Sequence, residues 1–135
     1  MSRSGYSEDC DGAELNLWRG AVNQALKGKR GQAFLREALA ALDAMPNKAL
    51  AADSLQEAGT GEFCTLGAVG AARGMDLKPL EDTEPRQVAS AFGIAPALAA
   101  EIMFENDESW SYQSSPEVRW SYMRAWLASK IKEDV

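Results

Sequence analysis

The chain has 135 residues, 46% hydrophobic and 25% charged, a balance that fits one folded domain and not a disordered tail. It holds no histidine and only two cysteines, Cys10 and Cys64, which excludes serine-histidine and cysteine-histidine triads, a zinc finger and a disulfide scaffold; both thiols are expected free, as in a reducing cytosol. A net charge of -6 and a pI near 4.7 disfavour non-specific binding to phosphates, which is driven by clustered Lys and Arg, and make a basic surface the more natural partner.

Residues 1–10, with Ser2, Ser4, Gly5, Ser7, Glu8 and Asp9, carry little apolar material and read as a mobile or draped arm ahead of a single helical domain over 11–135. The opening also lacks the apolar core of a signal peptide. No run approaches the ~20 apolar residues of a membrane span, so a cytoplasmic location is expected. Asp11 and Glu14 stand three apart, in the spacing of a capping box. Behind them Leu15, Trp18, Val22 and Ala25 form one apolar stripe, which predicts a first helix over about Gly12 to Lys27.

Gly28 to Gly31 break the pattern, and Lys27, Lys29 and Arg30 there suit the negative end of that helix. A second helix follows from about Gln32 to Ala44, carrying Phe34, Leu35, Leu39 and Leu42, and Pro46 stops it. From Asn47 to Glu62 the helical period is lost. The runs Ala49 to Leu55 and Glu62 to Thr65, around Gly59, Thr60 and Gly61, leave room for one small hairpin, although alanine-rich strands are poor strands.

Leu66, Val69 and Ala72 suggest a short third helix ending at Gly74. Asp82 or Thr83 is expected to cap a fourth, with Pro85 in its first turn and Gly93 at its end. Pro96 opens a fifth helix with Leu98, Ile102 and Phe104. After a polar loop from Asn106 to Ser114, Ser115 caps a last helix with Trp120, Met123, Leu127 and Ile131 on one stripe. The fold class expected is mostly α, a compact bundle of five or six short helices with at most one hairpin near 49–65.

Two features bear on function. Residues 85–102 have the outline of a helix-turn-helix, with Ala89, Gly93, Ala99 and Ile102 at matching positions. Its second helix, however, reads Glu101, Glu105, Asp107 and Glu108 with no Lys or Arg, which is the wrong charge for phosphates. Between Met75 and Glu117 nine acids face only Lys78 and Arg86, a local charge of -7 in a chain that is otherwise nearly balanced.

Like charges at helical spacing cost a few tenths of a kcal/mol per pair, so stability does not ask for Glu101, Glu105 and Glu108 together. Three readings of the acids stand open: a solvated surface, a docking face for a basic partner, and a cation or carboxylate-catalysis site. Asp9, Asp11 and Gly12 faintly resemble a calcium loop without its remaining ligands. Gly67 to Gly74 lacks the ending of a P-loop and the dinucleotide fingerprint. No catalytic residue, metal or cofactor is assigned.

Several segments together resemble a family of small uncharacterised proteins encoded by tailed phages and prophages. They are Arg3-Ser4-Gly5-Tyr6-Ser7 with Asp9-Cys10-Asp11, Trp18 to Val22, Gly28 to Gln32, Leu39 to Met45, Cys64 to Gly74, Phe92 to Ile102, Asn106-Asp107-Glu108, and Arg119 with Met123 to Trp126. The resemblance implies a role on host or defence machinery of the kind anti-CRISPR proteins have, and carries no catalytic or ligand residues. The leading expectation is a non-catalytic inhibitor that binds a basic surface of a host nucleic-acid-handling or defence complex. Glu81, Asp82, Glu84, Glu101, Glu105, Asp107 and Glu108 would form its contact surface, joined by the loop aromatics Trp110 and Tyr112. The alternatives are a nucleic-acid-binding regulator using 85–102, and an enzyme using carboxylates such as Asp9, Asp11 or Glu101.

Overall fold

The computed structural model describes Arg3, residues 12–108 and residues 115–132, with the backbone alone for 12–16. The architecture is all helical: α1 Gly12–Lys27, α2 Lys29–Ala44, α3 Thr65–Ala72, α4 Pro85–Phe92, α5 Pro96–Asp107 and α6 Pro116–Lys130, with one 3-10 turn at Lys78–Leu80. The hairpin reduces to a single antiparallel bridge between Gln56 and Phe63. Ala49 to Leu55 has no β-branched residue, and the groups of Leu50, Ala51, Asp53 and Leu55 pair in part with the side chains of Arg119, Asn106, Asp107 and Glu81 rather than with a partner strand.

The helices follow from the apolar periodicities. In α2 the buried positions Phe34, Leu35, Ala38, Ala41 and Leu42 form one face, and in α6 Met123 and Leu127 are fully buried with Trp120 beside them. Each of the large ones, Phe34, Leu35, Leu42, Met123 and Leu127, contributes roughly 1.5–3 kcal/mol through burial. Central to the bundle is α5, with Leu98, Ala99, Ala100, Ile102 and Met103 all buried and α1, α3, α4 and α6 packed around it.

Two helix boundaries differ from the sequence expectation. The break between α1 and α2 is Gly28 alone, and Gly31 lies buried inside α2. A Cβ on Gly31 would stand 1.8 Å from the Ala25 carbonyl oxygen, so this glycine lets the two helices touch and is not a breaker. The carbonyls ending α1 are served by Gln32 Nε2 on Leu26 at 2.6 Å and Lys132 Nζ on Lys27 at 3.1 Å. Lys29 and Arg30 therefore open α2 instead of closing α1.

The start of α4 is the second difference. Neither Asp82 nor Thr83 caps it: Glu84 holds the N-cap position without a side-chain bond, and Thr83 Oγ1 donates back to the Leu80 carbonyl at 2.6 Å. Pro85, with its fixed φ, begins the helix. Gly93 ends it in the left-handed conformation, φ 74°, and Ser115 caps α6 by accepting from the Val118 amide at 3.2 Å.

Candidate protein-docking face

Between the end of α2 at Ala44 and the start of α3 at Thr65 runs a stretch of 20 residues with no helix or strand. Loops of that length inside a compact domain are uncommon and are usually functional or disordered. This one is fixed, because its backbone groups find partners. The Leu50 amide donates to the Pro116 carbonyl at 2.9 Å and the Ala51 amide to the Phe63 carbonyl at 2.8 Å. Arg119 donates to the Leu50 carbonyl at 2.8 Å, and Asn106 Nδ2 donates to the Ala51 carbonyl at 2.9 Å.

The network beneath the loop is polar and buried. Asn106 Oδ1 accepts from both the amide and the hydroxyl of Thr65, at 3.0 and 2.9 Å. Asp107 Oδ1 accepts from the Asp53 amide at 3.0 Å and from Asn106 Nδ2 at 2.8 Å. Arg3 grips the same carboxylate with two bonds, Nε at 2.6 Å and an outer nitrogen at 2.9 Å, and its other outer nitrogen lies 3.6 Å from Cys64 Sγ. Cys64, a buried free thiol, also caps α3 by accepting from the Gly67 amide at 3.3 Å.

Burial alone would lower the pKa of Arg3, and the Cys64 sulfur and the Asp107 carboxylate more than offset it, so it lies above the ordinary value. Arg3, Cys64, Asn106, Asp107 and Arg119 thus act on one loop.

The sides of the loop are tied by Glu81, whose Oε1 accepts from the Leu55 amide at 2.7 Å and the Gln56 amide at 3.1 Å. That latch lays the segment Glu81 to Glu84 against Asp53 to Glu57. Two acidic stretches about 25 residues apart in sequence become one face. Asp53 and Asp82 are exposed and adopt left-handed backbone, φ 65° and 62°. Aspartate tolerates this conformation better than most residues, though glycine fits it best. Arg86 approaches Glu84 only to 3.9 Å with both side chains more than 70% exposed, a pair worth little.

The residues chosen from the sequence divide sharply. Asp82, Glu84 and Glu108 are exposed and Glu81 is half-buried in its latch. Asp107 is a correction: its side chain is 1% exposed and points into the molecule on Arg3, because a carboxylate buried under a loop must be paired. Glu105 is half-buried and accepts from the Tyr122 hydroxyl on α6, and Glu101 is half-buried on α5. Glu101, Glu105 and Glu108 therefore do not form one open surface. Trp110, Tyr112, Asp9, Cys10 and Asp11 lie outside the described residues.

Sequence reasoning missed Asp53 and Glu57. The signal that could have found them was the unpatterned stretch itself, since long connections carry function more often than helix faces do.

On its other flank the loop borders a groove of about 440 Å³ between α2 and α3, walled by Ala41, Ala44, Ala68, Ala71 and Phe63, with Glu62 its one titratable lining residue. The helix-turn-helix outline has the expected shape, since α4 and α5 turn by 109°. Yet Ala97 to Ala100, Ile102, Met103, Asn106 and Asp107 of α5 are buried. A helix reading a DNA groove presents its side chains outward. No protein family, curated protein or solved structure matches the chain.

Proposed function

We propose that the chain is a non-catalytic binding protein whose acidic face, formed by Asp53, Glu57, Glu81, Asp82, Glu84 and Glu108, docks on a basic surface of a host nucleic-acid-handling or defence complex and blocks it. The observation that carries this is the loop. Twenty residues without regular structure are held in place by Asn106, Asp107, Arg119 and Glu81, and beside this fixed loop Asp53, Asp82 and Glu84 are exposed while Glu57 and Glu81 are half-buried. Clustered like charge on a rigid support raises the association rate with a partner of opposite charge and sets orientation, without any chemistry at the surface. The groove beside Phe63 adds apolar area on the other flank of the loop, of the kind protein interfaces use.

The test is affinity capture from host lysate with the wild-type chain and with a variant carrying Asp82→Asn and Glu84→Gln, both exposed; Asn tolerates the left-handed backbone at φ 62°, and Gln keeps the shape of the residue at the start of α4. A partner held by the wild type and lost by the folded variant supports the reading. Capture that is the same with both proteins contradicts it.

A further inference from the structure

The turn between α1 and α2 meets the end of α6 at one pole of the bundle. Gln32 joins them: its Nε2 donates to the carbonyls of Leu26 at 2.6 Å and Lys130 at 3.0 Å, and its Oε1 accepts from the Lys132 amide at 2.8 Å. Lys132 Nζ reaches the Lys27 carbonyl at 3.1 Å, and Arg36 donates to the Lys132 carbonyl at 2.6 Å. Six cations from two ends of the sequence, Lys27, Lys29, Arg30, Arg36, Lys130 and Lys132, are gathered there, and all six are exposed. No acid occurs within 27–36 or 128–132; with Glu133 and Asp134, which follow in the sequence, the segments 27–36 and 128–134 together carry +4.

Folding does not ask for this charge. Lys29 and Arg30 lie in the first turn of α2, which has no acid there and no side-chain cap, so they oppose the helix dipole where an acid would complement it. The end of α1, which would attract them, is already served by Gln32 and Lys132. Lys29, Arg30 and Lys130 make no side-chain hydrogen bond or ion pair among the described residues.

We infer that this pole is a contact surface for the phosphate backbone of duplex nucleic acid. Phosphate contacts need clustered Lys and Arg and little else. A protein interface would need an apolar or aromatic centre, and the segments 27–32 and 128–132 contain only Ile131 of that kind, half-buried. Single strands are held on stacking aromatics, of which these two segments have none. The charge of -6 that argues against phosphates describes the whole chain; it confines contact to this pole and makes that contact weak and salt-sensitive. The inference does not depend on the acidic face, although the two surfaces together suit a chain that binds a protein complex already holding nucleic acid.

Fluorescence anisotropy with two labelled duplexes of about 20 base pairs and unrelated sequence, titrated from about 20 mM salt upward, tests it. The wild-type chain is expected to bind both duplexes alike. Lys29→Gln, Arg30→Gln and Lys130→Gln together are expected to weaken binding about tenfold or more and to reduce the slope of log affinity against log salt by about 3, with the thermal unfolding midpoint unchanged. No binding at the lowest salt overturns the inference, as does equal binding by the triple variant. Self-association of the wild type that the triple variant abolishes overturns it too, since the pole then meets the acidic face of a second copy.

Discussion

At the scale of single residues, the account turns on Asp107. A carboxylate with a 1% exposed side chain is sustained by Arg3, Asn106 and the Asp53 amide. Removing Arg3 leaves that charge buried with no cation. Arg3→Ala is therefore expected to destabilise the fold by about 3–5 kcal/mol, and Arg3→Ala with Asp107→Asn by clearly less than the two single changes added, measured by urea unfolding. Equal additivity would mean that the pair does not act as a unit.

Nothing in the sequence marked Asp107 as internal, since its partner lies 104 positions away and the local pattern groups it with exposed glutamates. Glycine was misread for a similar reason. Gly31→Ala, which would ordinarily gain up to about 1 kcal/mol in a helix interior, is expected to lose stability because the new carbon meets the Ala25 carbonyl. Gly20→Ala, on the exposed middle of α1 with nothing within 4 Å, is expected to gain it. Thermal melts of the two variants moving in the same direction would contradict the packing role given to Gly31.

Among the elements, the helices were legible and the loop was not. Spacings of three and four fix which face of α1, α2 and α6 is apolar, and Pro85, Gly93, Pro96 and Ser115 mark ends by backbone rules that need no tertiary contact. The stretch from Met45 to Cys64 has no such period, because its bonding is to Asn106, Asp107, Arg119 and Glu81, each far away in the chain. Four of the six acids of the proposed face, Glu81, Asp82, Glu84 and Glu108, were legible in the sequence; Asp53 and Glu57 were not, because the contact of their loop with Glu81 is made only by folding. Glu81→Ala removes the acceptor of two amides, and amide exchange at Leu55 and Gln56 is expected to quicken at least about tenfold while the core of α5 keeps its protection. Unchanged exchange at those two amides would show that the loop holds itself.

Over the whole molecule, ion pairs between helices bear on both folding and pH response. Arg73 holds the Glu37 carboxyl below its ordinary value of 4.5, and Arg124 holds Asp43 below 3.8, in each case through the hydrogen-bonded pair. A lowered folded-state pKa adds stability that is complete above the ordinary value and is lost as pH falls through the lowered one. Stability is therefore expected to decline as pH drops below the ordinary carboxylate range. Glu37→Gln with Asp43→Asn is expected to flatten that part of the curve, by a modest amount because both pairs are largely solvated. A curve as steep as the wild type's would assign acid sensitivity to other carboxylates.

The most direct test of the docking face joins both parts of it. Asp53→Asn, Glu57→Gln, Asp82→Asn and Glu84→Gln remove four charges while keeping the loop's backbone partners, and affinity for the captured partner can be followed against salt. The account predicts that wild-type binding weakens steeply with salt and that the neutralised variant, folded to the same midpoint, binds at least about a hundredfold more weakly with a flatter salt response. Equal affinity and an equal salt response in the two proteins would contradict it.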